Sequence, residues 1–193
     1  MARTAHPTEQ ASPTPVRRLI GRWRADERGA TAIEFGLVAM PFFMFVFGII
    51  GIGLHYFTGS TLEHSVTAAS RKIRTGQAQT GGMTVKQFKD TVLEQSGRFI
   101  QDDKLVIHLQ TEKNWSEITP VKCLTADGKM RPPTGSGTDK IGQHAGGASD
   151  VVLITVCYEW ELASVFWPLN LSDMASGAAL LRAATTFRTE PYQ

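Results

Sequence analysis

Hydrophobic and polar positions change rhythm along this chain, and each rhythm predicts a different element. From Phe35 to Leu54 twenty residues run without a charge. At about 1.5 Å rise per residue a helix of that length spans roughly 30 Å, the thickness of a bilayer core. Past Leu54 the pattern becomes amphipathic, with Leu62, Val66, Ala69 and Ile73 on one stripe and Glu63, Ser70 and Lys72 away from it, as in a helix half buried against a core. One helix that begins near Arg17 or Gly29 and continues to about Thr75 accounts for both parts. Pro41 falls inside it, so the sequence predicts either a kink between Leu37 and Pro41 or a proline that the membrane setting tolerates. Gly48, Gly51 and Gly53 make no clean pair of small residues four apart, and read as relaxing the helix rather than specifying a dimer.

The remainder alternates helix and strand signals. Gly76 to Gly82 is a break, and Thr84 to Phe99 reads as a second helix with Phe88, Val92 and Phe99 inward and Lys86, Lys89 and Glu94 outward. Leu105, Ile107 and Leu109 alternate with Val106, His108 and Gln110, the pattern of a half-buried strand. Lys113 to Ser149 carries little apolar pattern and is expected to be a long exposed loop with a turn at Asp127-Gly128. Val152, Ile154, Val156, Tyr158 and Trp160 then mark a central strand, partly apolar on its second face through Leu153 and Cys157. Leu181, Ala183, Thr185 and Phe187, opposed by Arg182 and Arg188, mark a last one. The predicted class is α+β: a long N-terminal transmembrane-plus-stalk helix followed by a small domain with an antiparallel sheet packed on the upper stalk. Between the last two strands, Val165, Phe166, Trp167, Pro168 and Leu169 form an apolar cluster that either serves a partner or membrane surface or folds into the core; the core reading is preferred.

Charge separates a leader from a body. Residues 1 to 28 hold six Arg against Glu9, Asp26 and Glu27, a balance of +3, whereas the rest holds fourteen Lys or Arg against fifteen acids, a balance of −1. Residues 1 to 16, rich in Pro, Thr, Ala and Ser, are expected to be disordered. Arg17, Arg18, Arg22, Arg24 and Arg28 crowd one side of the apolar run, which by the positive-inside rule holds the N-terminus in the cytoplasm and sends the remainder out. This gives a basic cytoplasmic leader over 1–28, a transmembrane helix over 29–57, and a stalk helix with an extracytoplasmic α+β domain over 58–193. A basic cluster that abuts a membrane span needs no nucleic-acid partner; the apolar run also exceeds the length of a secretory signal.

Glu34 sits just inside the apolar run, where an ionised group costs on the order of 2.5–3.5 kcal/mol at mid-bilayer and less near the interface. The carboxylate therefore asks for a partner. If the chain were cut after Gly29, the new amine on Ala30 would lie four residues from Glu34, and a second copy could place its amine against that carboxylate.

The spacing from Gly29 to Glu34 resembles the processing site of type IV pilins and pseudopilins, whose glutamate is the fifth residue of the mature chain. The stretch Arg28-Gly29-Ala30-Thr31-Ala32-Ile33-Glu34-Phe35-Gly36-Leu37-Val38, Pro41 a turn later, and the ending Phe187-Arg188-Thr189-Glu190-Pro191-Tyr192 resemble the TadE-like family of tight-adherence pilus proteins. The resemblance covers both ends of the chain well and the middle poorly. It implies a bitopic bacterial inner-membrane protein with a periplasmic domain, acting without catalysis in assembly of a tight-adherence (Flp-type) pilus. Arg28, Gly29, Ala30 and Glu34 would be the site for a prepilin peptidase, and Glu34 with Phe35 the assembly contact. The implied partners are that peptidase, the major pilin and other pseudopilins, the inner-membrane pilus assembly platform and the lipid bilayer, with no nucleic acid. The alternative is an unprocessed scaffold of the pilus secretion machinery or cell envelope.

Catalytic signals are weak. The five histidines include no pair at helical metal spacing; His55 and His64, nine residues apart, fall on roughly opposed helix faces. Gly135-Ser136-Gly137 lacks the lysine and the strand-to-helix setting of a phosphate loop, and no nucleophile elbow is present. No metal and no cofactor is expected. Cys123 and Cys157, once both are placed outside the cytoplasm, are expected to form one disulfide, the alternative being two separate thiols with Cys157 a small strand residue. A cysteine-labelling or reporter-fusion map is expected to place residues beyond about Thr58 outside the cytoplasm. Trp160 found inside would refute that orientation and remove the oxidising environment the bridge needs.

Overall fold

The computed structural model describes residues 29–97, 99–165 and 171–191. The expected disordered segment 1–16, Arg28, and the cluster Phe166 to Leu169 lie outside them. The chain divides into two compact units, one ending at Phe45 and the other running from Val46 to Gln193. Helix α1, Ala30–Arg74, contributes to both and contains Pro41. In the first unit its side chains are exposed almost without exception.

In the second unit α1 keeps the predicted stripe: Leu62, Val66, Ala69 and Ile73 are all buried, at spacings of four, three and four residues. Three hydroxyls here cause no orphan donors. Thr58, Ser65 and Ser70 each donate to the carbonyl four residues back, at 2.8, 2.7 and 2.5 Å. The helix ends in Arg71, Lys72 and Arg74, cations suited to its negative terminus. After the one-turn helix α2, Gln77–Thr80, helix α3 runs Val85–Gln95. Its start is a capping box: the Thr84 N–H donates to Gln87 Oε1 at 2.9 Å and the Gln87 N–H donates to Thr84 Oγ1 at 3.2 Å.

Strands β1 (Leu105–Glu112), β2 (Val151–Trp160) and β3 (Ala179–Arg188) form an antiparallel sheet in the order β1-β2-β3. The central place of β2 follows from its pattern, since nine of its ten residues are buried and only a strand covered on both faces can be so. Register sets Ile107 opposite Val156 and Leu109 opposite Ile154, then Val156 opposite Ala183 and Val152 opposite Phe187. Those side chains share one face and join the α1 stripe, Phe88, Val92 and Ile141 in a single core.

Three expectations need correction. Phe99 is 61% exposed and outside any helix. The helix stops at Gln95 because Gly97 turns the chain with φ of 63°. His108, placed by alternation on the outer face, is only 2% exposed. The connection over residues 113–149 is the reason: it is no free loop, for one part of it lies over the second face of the sheet and another enters the core beside α3. Its Thr134 approaches His108 Nδ1 at 3.4 Å, its Ile141 and Ala145 are buried in the core, and Cys123 is bonded to Cys157 on β2 with Cα atoms 5.8 Å apart. The turn at Asp127-Gly128 forms as expected, with Gly128 at φ of 70°, which a side chain would strain. Burial lowers the His108 pKa, with the nearby Arg131 cation acting the same way.

The two ends of the domain are clasped by the C-terminal motif. Phe187 enters the core and the Thr189 hydroxyl donates to the Gly147 carbonyl at 2.7 Å. The Glu190 N–H donates to the Arg74 carbonyl at 2.8 Å, with the two side chains 3.6 Å apart. Replacing both cysteines by serine (C123S/C157S) removes a closed loop of sequence separation 34. The chain-entropy model predicts a loss of roughly 3–4 kcal/mol. Melting of the oxidised and double-variant proteins in one detergent checks this; equal melting temperatures would mean that packing alone holds the cover.

Candidate functional site

The candidate site is the first turn and a half of α1. Gly29 immediately precedes the helix and a Cβ built on it would meet nothing within 4 Å. Ala30 opens α1, and Glu34 follows one turn later on the same face. Both are exposed. Ile33 and Phe35, beside Glu34, are each 71% exposed, and Leu37, Val38, Met40 and Phe45 continue the exposed apolar surface. A stretch this apolar and this bare does not persist in water; it needs lipid or the faces of other helices. Among the described residues no hydrogen-bond or ion-pair partner meets Glu34. The structure therefore brings Gly29, Ala30, Glu34 and Phe35 together at one exposed helix start, while Arg28 lies outside the described residues.

Cys123 and Cys157 lie elsewhere, in the domain, as its disulfide. The domain also holds the arrangement that looks most like catalysis, and its geometry argues for a structural role. Asp139 sits 3.1 Å from His144 Nε2 and accepts the Ser136 N–H at 2.7 Å. The Ser136 N–H first, and His144 second, hold the Asp139 carboxyl below its ordinary value. The Ser136 hydroxyl itself lies 3.0 Å from the Thr138 hydroxyl, so the serine oxygen is not presented to the imidazole. Asp150 is a second staple: it accepts Lys113 Nζ at 2.7 Å and the Gly147 N–H at 2.9 Å, and these bonds, that from Lys113 above all, lower its pKa. Among the described residues no group of three or more His, Cys, Asp or Glu is placed to hold a metal ion.

Sequence reasoning missed an aromatic seam where the apolar helix meets the domain. The His55 and Trp160 rings meet edge to face at 5.3 Å, as do those of Phe57 and Phe99. The signal was present as aromatic residues at the end of the uncharged run. Their partners, more than forty residues downstream, could not be paired without the fold.

α1 is long and apolar enough to cross a membrane, which fits a single-pass membrane protein. Its sequence places it further: residues 29–71 match the family model described as TadE-like protein. The resemblance read from the motif around Glu34 is thus shown over α1, and the family is one of pilus-assembly-associated proteins. No curated protein and no solved structure matches the chain.

Proposed function

We propose that this chain is a non-catalytic, membrane-anchored pseudopilin, a minor pilin-like component in assembly of a tight-adherence (Flp-type) pilus. In this reading it is an inner-membrane protein with a cytoplasmic N-terminus and a periplasmic domain. A prepilin peptidase cuts after Gly29, whose absent side chain lets the backbone enter a narrow cleft. The mature chain then begins at Ala30 with a free amine. Glu34 neutralises that amine on a neighbour, since two buried charges so paired avoid the larger cost of leaving either alone. Phe35 packs beside the contact. The neighbours are the major pilin and other pseudopilins, brought together on the inner-membrane assembly platform.

One observation carries the reading: an exposed carboxylate five residues after a bare glycine, at the start of an apolar helix that offers it no partner among the described residues. The disulfide supports a periplasmic domain, because such bonds persist where the compartment is oxidising. The match to the TadE-like model supports the pilus setting.

The test is Glu34→Gln. Glutamine keeps the size and some hydrogen bonding but removes the charge, so a neighbour's amine loses its counter-ion in a medium that screens poorly. Cleavage and membrane insertion are expected to continue while surface pili and cross-links to the major pilin fall. Normal piliation and cross-linking in the variant would leave Glu34 without an assembly role, and the carboxylate would then need another explanation.

A further inference from the structure

Several large apolar side chains of the domain are exposed at one end, the end where α1 leaves its uncharged stretch. Phe57 closes that stretch, and the ring of Phe99 stands edge-on to it at 5.3 Å. Gly97 places Phe99 there by ending α3 with a positive φ. At the end of the sheet, β2 runs into a helical turn over Glu161–Ser164 that leaves Leu162 49% and Val165 68% exposed. Leu54, Phe57, Phe99 and Leu162 line one groove together with Tyr158 and Trp160. Tyr56, 73% exposed, stands on the same turn of α1 as Phe57.

Counted from Phe35, the uncharged stretch uses up a bilayer core by about Leu54. Tyr56 and Phe57 then fall in the headgroup layer, where amphipathic aromatic rings concentrate. Phe99, in ring contact with Phe57, falls at the same height, and Leu162 shares the groove. In water each such side chain exposes apolar area unfavourably; in the headgroup and upper acyl region it does not. The surrounding charges argue for the kind of contact. Asp102, Asp103, Glu159 and Glu161 rim this end, with Lys89 paired to Asp102 at 2.8 Å and Lys104 to Glu161 at 2.6 Å. Among the described residues the acids on this rim outnumber the cations, so apolar insertion rather than attraction to anionic headgroups holds the surface.

We propose that the underside of the domain, bearing Phe99, Leu162 and Val165, seats in the headgroup layer of the bilayer that α1 crosses. The proposal rests on reading α1 as a membrane span. Before assembly the domain stands on the lipid surface, and a partner that joins it through this end must lift it off.

Depth measurement on the full chain in phosphatidylcholine vesicles, with and without phosphatidylglycerol, tests this. Both native cysteines are bonded to each other, so a nitroxide attaches only to an introduced thiol. Labels go on Leu162→Cys and Val165→Cys, with Ile50→Cys marking the span and Glu112→Cys the opposite end of β1, roughly 20 Å away along the strand. The labels at 162 and 165 are expected to lose most of their collisions with a water-soluble nickel complex relative to the label at 112, and to gain collisions with oxygen. Neither added salt nor dilution of protein in lipid should change this. Val165→Asp should restore nickel collisions at the label on 162 while the disulfide remains intact. Labels at 162 and 165 as open to nickel as that at 112, with the label at 50 shielded, would overturn the proposal and leave the span standing. A label at 50 open to nickel would overturn both. Shielding that vanishes on dilution in lipid would assign the surface to a second copy and overturn the lipid contact.

Discussion

Everything in this protein hangs on one helix that must satisfy two solvents. Near its start α1 presents Ile33, Phe35, Leu37 and their successors outward, a surface that only lipid or other helices can cover. Toward its end the same helix narrows to a stripe from Leu62 to Ile73 and completes a protein core. The sheet exists to cover that stripe. A sheet of three strands needs its apolar face covered, and the helix supplies that layer.

The second face of the sheet is closed by different means. A connection with little apolar content gains only a little from burial, through Ile141 and Ala145, and one covalent bond and a set of charged hydrogen bonds add to its hold. Cys123 bonds to Cys157, Lys113 and Gly147 bind Asp150, and His144 meets Asp139. Thr189 and Glu190 then tie the chain's last strand to this cover and to the end of α1. This accounts for residues 187–190 as a clasp, a role that needs no ligand.

The long helix, the three strands and their central member were legible in the sequence because burial repeats there with a fixed period. The α1 stripe and the alternation of Val152, Ile154 and Val156 are of this kind. The places that misled were those where burial comes from something remote. His108 looked polar and outward because nothing local reveals that residues from 113 onward fold back over it. Phe99 looked like a helix residue because its spacing from Val92 fits, yet Gly97 ends the helix before it. The candidate site was legible as a local motif, Gly29 to Glu34, since spacing along a helix is fixed geometry. What meets Glu34 is not, because the partner of the proposed contact belongs to another chain.

The central claim is that the carboxylate is placed to await an amine created by cleavage. The most direct measurement is the intact mass of the protein extracted from native membranes that contain the peptidase. The account predicts a chain that starts at Ala30, with the added mass of a methyl group if its amine is modified as in pilins. A chain that still carries residues 1 to 29 would contradict it and leave α1 as a plain membrane anchor.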